Sequence, residues 1–171
     1  KHAEDAMRRQ VKELEALAGI SAALRTARTL DDMLPLLLDE TLSALDTEAG
    51  MISVYDPATG LIHPLVGRGW FASIKQTPLM PSAGISGHVF ASGEVYISLE
   101  FASDPLIRSS SSSQIPAGWG GVCVPIRTAQ EICGIMFISV QSPRELMDEE
   151  VRLLTTLAEI AGNALHRMRL H

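Results

Sequence analysis

The residues best suited to binding a ligand open a predicted short helix in the stretch Gly84–Ile97. Gly84 and Gly87 lie in its first turn, where the absence of a Cβ atom lets a ligand approach the unpaired backbone N–H groups closely. Those groups, predicted at Ile85 to Gly87, and the helix dipole favour a negatively charged partner. Tight packing of the chain against itself explains the same two glycines, so the sequence leaves both interpretations open. Gly93 is expected to end the helix in a left-handed conformation.

The predicted ligand pocket lies between a sheet and the layer formed by this helix and the loop Leu99–Pro116. Aromatic side chains flank that loop, and its serine run Ser109–Ser113 has no apolar side chain to bury and is expected to be mobile. A mostly apolar or aromatic ligand with one carboxylate or phosphate group is the preferred class, and a neutral apolar ligand is the alternative. The candidate ligand-binding residues are Ile85, Ser86, Gly87, His88, Val89, Phe101, Trp119 and Trp70.

No set of residues in the sequence has the spacing of a catalytic or metal site. A serine–histidine–aspartate motif, a phosphate-binding Gly-Lys loop and a cysteine beside a base are all missing, so the chain is predicted not to be an enzyme. Cys123 and Cys133 are predicted to lie in the two strands of a hairpin. If Thr128 faces Glu131 across the turn, Cys123 lies opposite Met136. The two thiols are then about 10 Å apart at ~3.3 Å per residue, too far for an internal disulfide.

The composition indicates one acidic domain flanked by extra helix. The chain has 171 residues, of which 46% are hydrophobic, a net charge of −6 and a pI near 5.3. Basic residues are scattered and no apolar run reaches the roughly 18 residues that span a bilayer, so neither nucleic acid nor a membrane is an expected partner. The charged first residues are not a signal peptide, which predicts a cytoplasmic protein, and a first residue other than Met suggests part of a longer polypeptide.

Helices at both ends and two hairpins between them set the fold class. One amphipathic helix is predicted over Ala3–Arg28, and a second, capped by Asp31 or Asp32 with Pro35 in its first turn, runs to about Leu45. The predicted strands are Met51–Tyr55, Leu61–Val66, Val95–Ile97, Trp119–Ile126 and Ile132–Val140. This order predicts an α+β fold with a central antiparallel sheet of five or six strands, the terminal helices on one face and the short helix with loops on the other.

The terminal helices carry apolar seams that predict a dimer. Residues 1–28 are interpreted as a linker and dimerisation helix, 29–168 as the domain proper, and 148–170 as a long helix that continues toward an output domain. Heptad-like spacing in both helices favours a parallel homodimer with the helices in a bundle. The predicted interface residues are Leu14, Leu17, Leu24, Val151, Leu154, Ala158, Ala161, Leu165 and Met168.

Two stretches resemble the GAF domain, a small-molecule-sensing family whose fold is related to the PAS domain. Gly84–Glu94 is similar to the family's glycine-flanked central helix. Val122–Arg127, followed by Gly134–Ser139 and the capped helix rich in Leu and Ala, is similar to its final hairpin and C-terminal helix. The resemblance covers about 29–168. It implies a sensory domain of a larger signal-transduction protein, such as a two-component sensor, that passes a signal to an output domain such as a histidine kinase or a cyclic-dinucleotide enzyme.

The resemblance leaves the ligand unknown, because members of the family hold different molecules and some hold none. The Asn-Lys-Phe-Asp-Glu signature of cyclic-nucleotide members is not recognisable here. Covalent bilin is not expected because both cysteines are predicted strand residues. Haem is not expected because, apart from His166 on the C-terminal helix, only His63 and His88 lie inside the domain, and a lone histidine is more often a surface or hydrogen-bonded residue. Two alternatives stay open: a ligand-free domain that only dimerises, and a GAF-fold methionine sulfoxide reductase that would use two cysteines beside the pocket.

Overall fold

A computed structural model describes residues 2–74, 77–107 and 114–170, so the serine run Ser109–Ser113 lies outside the described residues. The helices in these ranges are α1 (His2–Thr26), α2 (Leu30–Ala44), α3 (Trp70–Ser73), α4 (Gly84–Ser92) and α5 (Asp148–Leu170). The strands are β1 (Ala49–Asp56), β2 (Leu61–Arg68), β3 (Tyr96–Ser98), β4 (Trp119–Arg127) and β5 (Ile132–Gln141). Among these helices, none is both long and apolar enough to cross a bilayer.

The strands form one antiparallel sheet in the order β2–β1–β5–β4–β3. Alternating side chains of each strand point to opposite faces, so the sheet separates two apolar clusters. The helix-side core joins the sheet to α1, α2 and α5, and the cavity-side cluster joins it to α3, α4 and the 3-10 turn Phe101–Ser103. The predicted α+β class, with five antiparallel strands and helices on both faces, is confirmed.

The start of α2 differs from the prediction. Thr29 has an extended backbone and its Oγ1 accepts the N–H of Asp32 at 3.1 Å, so Thr29 is the N-cap. Asp31 and Asp32 lie in the first turn instead, where their carboxylates suit the positive end of the helix dipole. The prediction that either aspartate caps the helix is therefore wrong, and the earlier start places Pro35 beyond the first turn.

Helix α1 has two opposite apolar faces. Ala16, Ile20 and Ala23 are buried against the domain. Met7, Val11 and Leu14 are 66%, 47% and 61% exposed, and their spacing of four and three residues places them on the side that faces away from the domain. Leu17 and Leu24, which were predicted to form a dimer seam, are half-buried against the helix-side core. We call Met7, Val11 and Leu14 the outer stripe of α1.

The apolar seam of α5 lies inside the domain. Leu154, Ala158, Ala161 and Leu165 are at most 2% exposed and belong to the helix-side core. These four side chains pack on the sheet of their own chain, so they cannot also form a dimer interface, and that part of the predicted interface is corrected. Apolar residues at this spacing are expected both in a helix that packs on a partner helix and in a helix that packs on a sheet. Here α5 packs on the sheet. Val151 and Met168 are half-buried beside the same core.

A β-bulge shifts the register of the last hairpin. Thr128 N–H donates to Glu131 O at 2.9 Å, as predicted for the turn, but the register changes between Ile126 and Arg127. Cys123 therefore faces Phe137 across the ladder, and the predicted pairing of Cys123 with Met136 is wrong by one residue. Cys123 belongs to the cavity-side cluster and Cys133 to the helix-side core, and both are free thiols.

Candidate functional site

A cavity of about 110 Å³ lies between the sheet and the layer formed by α3, α4 and the segments beside them. Engineered cavities of about 150 Å³ bind benzene, so a volume of this order suits a ligand of about one ring. Its described lining is Met51, Ser53, Pro64, Trp70, Phe71, Ile74, Thr77, Leu79, Gly84, Ile85, Ser86, Phe101, Ile107, Ile115 and Phe137. No charged residue and no histidine is among these described residues, so the cavity is apolar with a few polar groups.

Four aromatic rings form one wall of the cavity. Trp70 stacks on Phe71 with ring centroids 3.8 Å apart, and Phe71 lies 5.6 Å from Phe137. Phe101 completes the wall, 5.8 Å from Phe137 and 6.1 Å from Trp70. Rings at these separations hold one another in place and present their faces or edges to a bound molecule. Trp70 Nε1 points to Ser139 Oγ at 3.4 Å, a long contact, and Ser139 Oγ donates to Gly120 O at 2.7 Å.

The first turn of α4 faces the cavity and is not capped by a side chain. Gly84 has φ +65°, which favours glycine, and the space around its missing Cβ is open. The N–H of Gly87 donates to Ala83 O at 2.9 Å, so the N–H groups without a helical partner are those of Gly84, Ile85 and Ser86. These three donors, rather than the predicted Ile85 to Gly87, are the ones a ligand can use.

The cavity lining has three hydroxyl groups, of which those of Ser53 and Ser86 belong to buried residues and that of Thr77 to an exposed one. Ser53 is 1% and Ser86 4% exposed, and in the described parts of the chain neither hydroxyl makes a hydrogen bond. Neither oxygen is among the fully buried polar atoms without a partner, since in the described residues that description applies to Ser98 Oγ alone. Ser53 lies in β1 and Ser86 in the first turn of α4, so they approach the cavity from the sheet and from the helix. Both hydroxyls are therefore available to polar atoms of a ligand in the cavity.

Two carboxylates anchor the loop that follows β3. The Glu100 carboxylate accepts the Gly118 N–H with Oε1 at 3.1 Å and Oε2 at 2.9 Å, which ties the two ends of the loop together. Asp104 accepts the Tyr96 hydroxyl at 2.9 Å and the Leu106 N–H at 2.9 Å. Burial and the adjacent Asp104 carboxylate raise the pKa of Tyr96 above its ordinary value. These bonds fix the described part of the loop beside Phe101.

The structure brings four of the eight predicted site residues to the cavity: Ile85, Ser86, Phe101 and Trp70. Gly87 and Val89 are buried in α4 but do not line the cavity, and a Cβ atom on Gly87 would lie 2.6 Å from the Ser82 carbonyl carbon. Tight packing therefore accounts for this glycine. His88 is exposed, with its ring edge-on to Tyr96.

Trp119, the remaining predicted residue, is half-buried and lines a separate surface groove with Arg144. Sequence reasoning missed the sheet residues of the cavity, Met51, Ser53 and Phe137, as well as Phe71. The alternation of each strand could have indicated that these residues share a face, but not which face lies under α4.

Neither cysteine lines the cavity. Burial raises the pKa of the Cys123 thiol well above its ordinary value. Burial also raises the pKa of Cys133, and the nearby Glu131 carboxylate adds to that effect. In the described part of the chain, no group of three or more His, Cys, Asp or Glu side chains could hold a metal ion.

Known proteins resemble this chain in sequence and in fold. The chain is 27% identical over 163 residues to a Nif-specific regulatory protein of Herbaspirillum seropedicae, covering 92% of this chain and about 30% of the length of that relative. A solved GAF domain from a phosphoenolpyruvate-protein phosphotransferase of Coxiella burnetii has a TM-score of 0.80 at 20% identity, over 94% of this chain and 96% of that one.

The free methionine-R-sulfoxide reductase of Neisseria meningitidis shares the fold at a TM-score of 0.74 and 14% identity, over 92% of this chain and 90% of that one. A family model of the GAF domain matches residues 27–166. The match extends over most of the sequence and includes every strand of the sheet and the helix that borders the cavity. The chain therefore belongs to the GAF domain family, whose members occur in regulatory proteins such as the Nif-specific relative.

Proposed function

We propose that this chain is the sensory domain of a larger cytoplasmic signal-transduction protein and that it binds a small molecule between the sheet and α4. The observation that carries the proposal is the cavity, which combines an aromatic wall with the unpaired hydroxyls of the buried residues Ser53 and Ser86. An apolar cavity with a few convergent polar groups is the usual form of a small-molecule site. The regulatory relative supports the assignment to sensing rather than to catalysis.

The signal would pass through the sheet to α5. Phe137 lines the cavity, while its neighbours Met136 and Ile138 point to the opposite face and pack in the same core as α5. A ligand that displaces Phe137 therefore acts on residues that support the helix. Such coupling requires that the ligand binds one arrangement of sheet and helix more tightly than the other.

The receiver of the signal would be an output domain of the full-length protein. The chain spans only about 30% of the Nif-specific relative, which leaves room in a protein of that kind for such a domain. A histidine kinase or a cyclic-dinucleotide enzyme is the class that the family resemblance suggests. A four-residue insertion after Arg169 tests transmission through α5, because it rotates the continuation of this helix relative to the output domain. The regulation of the full-length protein is compared with and without the insertion. Unchanged regulation would contradict transmission through this helix.

We also propose that the domain forms a homodimer through the outer stripe of α1. The stripe repeats at heptad spacing on the side opposite the buried face, as expected for a helix that pairs with its own copy. Leu14→Asp, in which a charge replaces a 61% exposed leucine of the stripe, should convert the dimer to a monomer in light scattering. Leu99→Asp is the matched control, since Leu99 is 67% exposed and lies far from α1 in the sequence. A wild-type monomer at high concentration would contradict the dimer.

Ligand binding is tested by native mass spectrometry of the purified domain and by thermal shift against a metabolite panel. A ligand at 100 times its dissociation constant should add about 2.7 kcal/mol of stability. Ser53→Val is the cavity-blocking variant. Its larger side chain occupies part of the cavity, so the thermal shift on ligand addition should disappear while the domain stays folded. If no compound stabilises the wild type, or if the variant responds as strongly, the cavity is not the ligand site.

The ligand-free dimerisation domain is the alternative that the outer stripe favours, and absence of any thermal shift together with a stable dimer would support it. The sulfoxide reductase has less support, because Cys123 and Cys133 lie on opposite faces of the sheet and neither lines the cavity. A turnover assay with free methionine sulfoxide separates it from a sensor. Activity that disappears in Cys123→Ser would overturn the sensory assignment.

A further inference from the structure

The cavity combines hydrogen-bond donors with an aromatic wall. The N–H groups of Gly84, Ile85 and Ser86 and the hydroxyls of Ser53 and Ser86 are donors in its lining. Ser53 and Ser86 are 1% and 4% exposed, and neither hydroxyl makes a hydrogen bond in the described structure, so the cavity offers more than an open helix terminus. The wall of four aromatic rings belongs to the same lining.

We propose that the ligand is a small aromatic monocarboxylate, with its carboxylate at the donors of α4 and β1 and its ring on the aromatic wall. This inference rests on the proposed function, because it names the ligand of the same cavity. A carboxylate has two oxygens and about four lone-pair sites, so it can accept hydrogen bonds from several of the donors that the start of α4 and the strand β1 contribute to the lining. The positive end of the α4 dipole adds a favourable interaction with the charge.

The described lining residues match a small monoanion better than they match the nearest competitors. A phosphate monoester carries almost two negative charges, and no lysine, arginine or histidine among the described lining residues would balance the second one. The volume of about 110 Å³ is smaller than the roughly 150 Å³ of engineered cavities that bind benzene, so the cavity admits at most one ring. A neutral apolar molecule fits the wall but leaves both serine hydroxyls unpaired.

Titration calorimetry with benzoate, benzamide and toluene tests the proposal. Benzoate should bind on the order of tenfold more tightly than benzamide, since hydrogen bonds to a charged group are stronger than those to a neutral group. The chain has two tryptophans, and the Trp119→Phe variant keeps only Trp70, which lines the cavity. Quenching of Trp70 fluorescence in this variant therefore reports binding in the cavity independently of calorimetry.

Three serine variants locate the carboxylate. Ser53→Ala and Ser86→Ala should each weaken benzoate binding several-fold without weakening toluene binding, since toluene leaves the hydroxyls unpaired. Ser82→Ala is the matched control, because Ser82 is an exposed serine just before α4 that does not line the cavity. Toluene or benzamide binding as tightly as benzoate would overturn the carboxylate but leave a ligand cavity. If none of the three probes binds or quenches Trp70 fluorescence, the carboxylate proposal is wrong. If no compound of the metabolite panel produces a thermal shift either, the proposed function is wrong as well.

Discussion

Replacing Leu165 and Leu14 by alanine, one at a time, compares the stability lost at a core leucine with the stability lost at an exposed leucine. The change removes three carbon atoms from a helix in each case, worth about 2.4 kcal/mol at ~0.8 kcal/mol per buried carbon. Leu165 is 1% exposed, and the space left by the missing atoms adds to that value, so Leu165→Ala should lower the free energy of unfolding by about 3–5 kcal/mol. Leu14 is 61% exposed, so little more than a third of its side chain is buried. Only that share of the burial free energy is lost, and Leu14→Ala should lower the free energy of unfolding by less than about 1 kcal/mol.

Urea unfolding followed by circular dichroism measures both values. The effect of Leu165→Ala should not depend on protein concentration, because the residue packs against its own domain. The effect of Leu14→Ala should grow with concentration if the outer stripe pairs with a second copy, since dimerisation then contributes to stability. A loss below about 1 kcal/mol for Leu165→Ala would refute the placement of α5 on the sheet. A large, concentration-independent loss for Leu14→Ala would refute the exposure of the outer stripe.

Two further predictions concern packing and pH. Gly87→Ala should lower stability by about 1–3 kcal/mol in thermal or urea unfolding, because the added carbon meets the backbone of Ser82; an unchanged stability would mean that α4 is packed less tightly than described. Burial raises the pKa of Cys123, so its contribution to stability is complete below the ordinary thiol pKa of about 8.5 and is lost as the pH rises above it. Between pH 8 and pH 10 reduced wild-type protein should therefore lose stability, and Cys123→Ala should lose less while Cys133 and Tyr96 still titrate; equal losses would contradict the burial of Cys123.

Local sequence signals predicted the elements of the fold well. Gly93 ends α4 at φ +71° with its N–H on Val89 O, as expected for a glycine C-cap. Turn residues and alternating apolar residues placed each strand within two residues of its observed bounds. These features depend on neighbours in sequence, so a single chain contains the information. The cap of α2 was missed because Thr29, Asp31 and Asp32 are all good capping residues and only the backbone path selects one.

The site was predicted only in part, because its residues come from distant parts of the chain. Ile85 and Ser86 were found from the helix start, but Ser53 lies in β1 and reaches the cavity through strand alternation that has no marker of its own. The bulge beside Arg127 changed the hairpin register, and nothing in the local composition indicates such an insertion. The seam of α5 was assigned to a partner because apolar spacing does not distinguish a second helix from a sheet.

Methyl spectra of the domain with carbon-13-labelled methionine test ligand entry and its transmission together. The seven methionines include Met51 at the cavity, Met136 in the helix-side core and the exposed Met7 on α1. During titration with benzoate, or with a compound that the thermal-shift panel identifies, the Met51 resonance should move with the fraction of ligand bound. The Met136 resonance should follow to the same endpoint and Met7 should stay unchanged. Saturating binding that leaves Met51 unmoved would contradict a ligand in this cavity, and a shift of Met51 without Met136 would contradict transmission through the sheet.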